Sequence, residues 1–522
     1  MDHLIQVYNS STQVLIPVLQ KRSKASYITA AIALIIAQRL YSYFRVPKHL
    51  RGFPKLPYFG IAKSLLTRES PRERVKKYVL PIIDENDGFY ISKIPFGWML
   101  YIANPVAAKQ LLLKSSGFPK NHGLLDNMGE NLFVEFIGKD NVALSNGDTW
   151  KRQRKVMNPA FHHSLPIKTM SKVVFSLISA IEQANGTIPV ASAMQNFTLD
   201  TLGLAIFGFD FKALQGDPDE WTKTYRFVSD CIFDPVINVF SSYSFIIDRI
   251  YPRRRRGAIA TKKLSEKFLK IAQQKRKEIK SGAYADVPDN EKDLLTLMLE
   301  AEEKGDTWTS EDELRHNIAI LFVAGHDTTA HALSFCFYHL AKNKDVQQKL
   351  RKEVLSILGD KPVDVVPTVE QLKNMQYLNM VIKENLRINS PADMLFSRDV
   401  KEDTILANTL IPKGTVVTIN IEALHYNPRL WHNPDQFDPE RFAPGGEHEK
   451  HEGMTWLPFS NGTRQCLGMN FSLFEQRLVI AMILKKYEIS IPEDSIHRDH
   501  IVSDIPFNGA PKSLKLTFTK RH

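Results

Sequence analysis

Cysteine is scarce in this chain. Its 522 residues contain three, Cys231, Cys336 and Cys466. An odd number so widely spaced is no disulfide framework. It suits a catalytic domain that faces a reducing compartment. The sequence has no CxxC pair and no Cys/His cluster of the kind that builds a zinc site. A Gly-rich flavin or dinucleotide loop is missing as well, and no convincing Cys–His–Asn/Asp set supports a hydrolase with a cysteine nucleophile. Acidic residues are fewer than basic ones, 57 against 68, which leaves a net charge of +11. The first 60 residues carry eight basic groups (Lys21, Arg22, Lys24, Arg39, Arg45, Lys48, Arg51, Lys55) against Asp2, so they supply +7 of it. The remainder is only mildly basic, which argues against a nucleic-acid partner and points to a membrane-proximal N-terminus. The later block Arg253-Arg254-Arg255-Arg256 reads as a solvated or membrane-facing surface.

Long apolar runs are also rare, and the two at the N-terminus are short. Val14-Leu15-Ile16-Pro17-Val18-Leu19 contains a proline and is too short to span a bilayer. Residues 25–37 carry no charge, and extension to Phe44 gives about the 20 residues that a spanning helix needs. That stretch includes Gln38 and Arg39; an arginine near one end can reach the interface, where Tyr27, Tyr41 and Tyr43 also fit. The cluster Lys21-Arg22-Ser23-Lys24 comes late for a cleaved signal, so an uncleaved anchor is expected over 1–45. Charge does not settle its orientation. Pro47, Pro54 and Pro57 stiffen a hinge over 46–60, and the catalytic domain follows over 61–522. Phe89–Ile94 and Trp98–Ile102 flank Pro95-Phe96-Gly97 and read as a hairpin. Most of the rest has helical period, so the fold is expected to be mainly α with small β-sheets.

The rest of the chain is organised around Phe459-Ser460-Asn461-Gly462-Thr463-Arg464-Gln465-Cys466-Leu467-Gly468. It puts one cysteine in a loop between glycines, just before a helical pattern through Leu473, Phe474, Leu478, Ile480, Ala481, Ile483 and Leu484. A metal-binding thiolate is favoured by backbone N–H groups near a helix start. Small neighbours let a flat macrocycle approach the backbone, and the planar fork of Arg464 suits a carboxylate on it.

This loop resembles the haem-binding loop of the cytochrome P-450 family, F-x-x-G-x-R-x-C-x-G, at Phe459, Gly462, Arg464, Cys466 and Gly468. The resemblance implies haem b with Cys466 as the axial iron ligand. It runs from about Pro47 to the C-terminus. Trp150 and Arg154 match the family's W-x-x-x-R, whose side chains hold a haem propionate, and Arg398 is expected to hold one too. Lys151, Arg152 and Lys155 are left for an outer face, either solvated or docking the flavin domain of a reductase. Ser310 and the acidic turn Glu311-Asp312-Glu313 open a long helix. Within it Ala324-Gly325-His326-Asp327-Thr328-Thr329 matches A-G-x-D-T-T. The glycine and a back-bonding hydroxyl open a groove beside the haem there. Thr328 is expected to steer protons to bound dioxygen, with Asp327 as its relay to solvent; His326 is a polar contact rather than a ligand.

Glu384 and Arg387 lie three apart on a helix and face together. With Arg441 of Phe437-Asp438-Pro439-Glu440-Arg441-Phe442, they match the family's buried structural triad that holds the cysteine loop. His425-Tyr426-Asn427-Pro428 corresponds to H-R-D-P and departs at its middle positions, which puts a local contact in doubt. Phe207-Gly208-Phe209-Asp210-Phe211 ends a helical run from Thr198. Leu124, Met128, Leu132, Phe133 and Phe136 line either a substrate pocket or the core; Ala324, Met394, Leu395, Phe396 and Phe507 are further pocket candidates.

The resemblance implies a monooxygenase that inserts one atom of O2 into an apolar substrate. Electrons are expected from NADPH through a separate cytochrome P-450 reductase, with cytochrome b5 as a second donor. Steroid hydroxylation is favoured over fatty acids, terpenoids or xenobiotics. The expected setting is a fungal microsomal enzyme, single-pass in the endoplasmic reticulum membrane, with its catalytic domain cytosolic. The alternatives are a reductase-independent isomerase, dehydratase or peroxygenase of the same fold, and a haem-binding sensor that does not turn over.

Overall fold

The computed structural model describes residues 24–67, 69–94, 97–114, 117–127, 131–163, 166–232, 234, 236–237, 244–289, 291–304, 310–502 and 509–522. The chain divides into two compact units, Met1–Gly52 and Phe53–His522. Helix α1, Lys24–Phe44, is the main element of the first unit. Its apolar side chains are exposed all round, Ile28, Leu34, Ile35 and Leu40 among them. A helix apolar on every side needs lipid or a protein core around it. Ser26–Phe44 is long and apolar enough to cross a membrane, which fits an anchor. The Val14–Leu19 run lies outside the described residues.

In the second unit the stretch after Pro54 leads into a helix. A helix starts at Tyr58 and runs to Leu66, capped by Pro57, because proline is tolerated at a helix start but not inside. The hairpin forms as expected: β1 (Phe89–Ile94) pairs antiparallel with β2 (Gly97–Ile102), from Phe89 opposite Ile102 to Ile94 opposite Gly97. Pro95 and Phe96 at its tip lie outside the described residues. A four-stranded sheet follows in the order β1-β2-β7-β4, with β4 at Arg398–Asp399 and β7 at Val416–Ile419. Strands β5 (Thr404–Leu406) and β6 (Thr409–Ile411) pair with each other. A second sheet, β3-β9-β8, joins Thr187–Pro189, Lys515–Lys520 and Tyr487–Ser490.

Helices make up the rest. Those that build the site are α2 (Pro105–Leu113), α3 (Leu132–Ile137), α4 (Gly147–His163), α5 (Val190–Leu202), α6 (Trp221–Ile232), α7 (Pro252–Lys280), α8 (Glu311–Lys342), α9 (Gln376–Ile388) and α10 (Met469–Lys486). Helix α8 starts where its cap and acidic turn require: the Ser310 hydroxyl accepts the Glu313 N–H at 3.1 Å. It is buried along most of its length against α5, α9 and α10. The run expected from Thr198 begins earlier, at Val190, and ends in a π-turn over Gly203–Phe207.

The arginine block is not simply a surface. The first turn of α7 carries Arg254 inward, where it is buried and its Nη1 lies 2.8 Å from Asp248. Arg253 lies 3.7 Å from Asp234. Only Arg255 and Arg256 are exposed.

Candidate active site

The cysteine loop is tied at both ends. The Cys466 N–H donates to the Phe459 carbonyl at 2.9 Å. Gly462 has φ +70°, and a Cβ there would lie 2.5 Å from the Leu112 carbonyl at the end of α2. Glycine alone suits that position. Gly468 differs: a Cβ would meet only Phe161, at 3.9 Å, so the protein itself leaves the space before it open. Cys466 is exposed, yet burial pushes its thiol pKa up. It is thus partly desolvated by the protein around it. The N–H groups of Gly468 and Met469 and the Arg154 charge act in the other direction and favour the thiolate.

Helix α8 borders this space. Ala324 and Thr328, four apart on one face, are exposed in the middle of an otherwise buried helix. The Thr328 hydroxyl donates back to the Ala324 carbonyl at 2.7 Å. Its neighbour Thr329 meets Ser472 of α10 at 2.9 Å, six residues after Cys466. Gly325 serves packing: a Cβ would lie 2.5 Å from Leu202 of α5, so its missing side chain admits that helix. Asp327 faces away from Thr328. One carboxylate oxygen accepts Gln195 Nε2 at 3.3 Å and the other accepts the Tyr225 hydroxyl. His326 is buried, its Nδ1 2.8 Å from the Phe322 carbonyl and its Nε2 3.3 Å from Asp327. It is a polar contact, as expected.

A cluster of cations converges near the cysteine loop. The Arg464 guanidinium lies 3.8 Å over the Trp150 ring and donates to the Ser145 carbonyl at 2.8 Å. Arg154 donates to the Gln465 carbonyl at 3.0 Å. Arg398 is buried and donates to the Phe118 carbonyl at 3.2 Å; its backbone bridges to Lys120. Sequence reasoning missed Lys120, which lies in an irregular stretch with no family motif of its own. Among the described residues none of Lys120, Arg154, Arg398 and Arg464 forms an ion pair. Burial and the charges of Arg398 and Arg464 hold the Lys120 ammonium well below its usual range. Burial lowers Arg398 to about 10. Burial, Arg398 and Arg154 lower Arg464 to about 10. Among the described residues no carboxylate offsets these cations.

The expected triad forms. Glu384 and Arg387 are fully buried and bidentate, at 2.7 and 2.9 Å. Arg441 Nε lies 3.4 Å from Glu384, whose carboxylate also accepts the Asp438 N–H at 3.0 Å. The triad reaches the cysteine loop through a residue whose importance the sequence concealed. His425 Nδ1 lies 3.0 Å from the Arg387 carbonyl, and its Nε2 accepts the Leu457 N–H at 3.1 Å. That pairing sets the tautomer: Nδ1 carries the hydrogen.

Two expectations need correction. Phe136 is fully buried and stacks on Phe268 at 6.1 Å, so it belongs to the core with Leu132. Arg152 does not lie free on a basic outer face. It pairs with buried Glu313 at 2.7 Å, because α4 turns it towards the start of α8; Lys151 and Lys155 are exposed. Phe507 and Met128 lie outside the described residues. Phe133 and Leu395 are half-buried, and Met394 and Phe396 are exposed, with Lys120 Nζ 5.3 Å over the Phe396 ring.

The family model named Cytochrome P450 matches residues 50–515. The chain belongs to the cytochrome P450 family. Relatives include a taurochenodeoxycholic 6 alpha-hydroxylase of Sus scrofa, 30% identical over 69% of this chain and 71% of its own length. Cytochrome P450 4F8 of Homo sapiens is 30% identical over 67% of this chain and 69% of its own. Human cytochrome P450 4X1 is 29% identical over 88% of this chain and 90% of its own. Among solved structures, a cytochrome P450DA heme domain superposes with a TM-score of 0.73, covering 90% of this chain and 97% of its own at 22% identity. That likeness confirms a mainly helical P450 fold with small sheets. Members of the family are haem monooxygenases, hence oxidoreductases, and bind haem b through a cysteine thiolate. The residues present fit that group. The cysteine is accessible, an open glycine leaves room for a flat ring, and four cations with no carboxylate partner among the described residues suit its two carboxylates.

Proposed function

We propose that this P450 hydroxylates a large apolar substrate with electrons from NADPH through a separate reductase. The observation that carries the reading is the cation cluster, without a carboxylate partner among the described residues, beside the accessible Cys466. Cys466 would bind the haem iron through its thiolate. Arg154, Arg398 and Arg464 would hold the propionates, with Lys120 as a fourth cation and Trp150 as the plate under Arg464. Phe459, Gly462 and Gly468 shape the loop. Glu384, Arg387 and Arg441 fix it from behind. When bound, the haem supplies dioxygen activation and transfer of one oxygen atom. The chain supplies the protons and the walls. Thr328 Oγ1 is the last protein atom on the proton route, and Asp327 restores its proton from the solvent side. Ala324, Phe133, Leu395 and Phe396 line the substrate space.

The substrate class is read as steroid before fatty acid, terpenoid or xenobiotic. The Sus scrofa relative is named as a hydroxylase, which supports the reaction; the apolar walls suit all four classes, and the steroid choice rests on general resemblance. The setting follows the same reading: residues 1–45 anchor the chain, 46–60 form the hinge, and 61–522 form the catalytic domain on the cytosolic side of the endoplasmic reticulum membrane. Cytochrome b5 is a second electron donor, and Lys151 and Lys155 are docking groups for the reductase. A fungal source rests on general resemblance alone; the relatives named above are mammalian.

Optical titration of the purified ferric protein with steroids, fatty acids and small aromatics tests the substrate. A substrate that displaces water from the iron shifts the Soret band. A saturable shift with steroids alone supports the reading, and a shift confined to another class replaces it. Turnover that needs both NADPH and reductase supports a monooxygenase; product formed without them favours an isomerase or peroxygenase.

A further inference from the structure

Asp327 is held at every point where it would act. Its carboxylate accepts Tyr225 of α6 at one oxygen and Gln195 of α5 at the other, and His326 lies 3.3 Å from that second oxygen. The Tyr225 ring is fixed in turn. It packs edge-on against Phe322 at 5.0 Å and His326 at 4.7 Å. Thr328 has its only hydroxyl hydrogen committed to the Ala324 carbonyl. Neither end of the Asp327–Thr328 pair is free to pass a proton to the other in this arrangement. A hydrogen bond to a charged group is strong, so the arrangement does not relax by itself.

We propose that Tyr225 is a latch on Asp327: a positioning residue that keeps the carboxylate turned from Thr328 until α6 shifts. The idea rests on the reading of Asp327 and Thr328 as the proton route. It adds a residue outside that pair and a consequence, which is that proton delivery is restrained while the latch is closed. Only a proton moves between Asp327 and Thr328, so no further reactant is needed.

The test uses the full-length, haem-loaded enzyme with reductase and NADPH, without substrate. Y225F removes the hydroxyl and keeps the ring packing. NADPH oxidation and hydrogen peroxide release are expected to rise roughly tenfold, the scale of one hydrogen bond to a charged group. The solvent deuterium isotope effect on NADPH oxidation is expected to fall towards one. A second readout needs no turnover: in heat denaturation, Y225F and D327N together should lower the midpoint by less than the sum of the single losses. Rates equal to or below wild type, or an isotope effect equal to or above it, overturn the latch, and so do strictly additive midpoints. D327N and T328A are measured alongside. If neither alters peroxide release or the isotope effect, the proton-route reading itself fails; if both do and Y225F does not, only the latch fails.

Discussion

His425 Nε2 accepts the backbone N–H of Leu457 at 3.1 Å, two residues before Phe459 opens the cysteine loop. Its other nitrogen is spent on the Arg387 carbonyl. One imidazole thus joins the buried ion-pair core to the segment that carries Cys466. H425L is expected to leave both backbone groups buried without partners, at about 1–3 kcal/mol each. Denaturant titration should show that loss, and haem should leave the variant faster than the wild type.

The same residue gives acid sensitivity a sign. Burial and the Arg387 charge lower its pKa from 6.5 to about 3. Between those values the unfolded chain binds a proton that the folded chain refuses. Stability is therefore complete above pH 6.5 and declines as pH falls towards 3. Melting midpoints taken from pH 7 to 4 should fall more steeply for wild type than for H425L, which lacks the titrating group.

Glu384 holds Arg387 and lies 3.4 Å from Arg441 in a site with no access to water. Glu384→Ala strands buried cations, and a loss of about 3–5 kcal/mol is expected. Equilibrium unfolding measures it. A loss below about 1 kcal/mol would place the triad among weak surface pairs.

Local chemistry made much of this legible in advance. Ser310 and three acidic residues announce the start of α8, and Gly97 the hairpin turn. The loop glycines were readable because one of them, Gly462, occupies a backbone region that favours glycine. What stayed hidden depends on packing between distant segments. Lys120 joins its cluster across a bridge to Arg398, 278 residues later. Arg152 turns inward because Glu313 waits at the start of another helix. Phe136 and Phe133 are three apart on one short helix, yet one is core and the other half-buried. No local pattern separates them.

The cation cluster predicts opposite effects with and without cofactor. Lys120 is held uncomfortably beside Arg398 and Arg464. Lys120→Met removes that repulsion, so the haem-free protein should melt higher. The loaded protein loses a contact to the carboxylates, and haem transfer to an acceptor should quicken roughly tenfold. A variant that is less stable without haem would contradict this account.

The most direct test is the optical spectrum of the reduced, carbon monoxide-treated protein, wild type against Cys466→Ser. Wild type should show the strongly red-shifted Soret band that a thiolate ligand gives, and the variant should lose it while its circular dichroism stays that of a folded helical protein. A folded wild-type protein without that band, or a variant that keeps it, would contradict the assignment of Cys466.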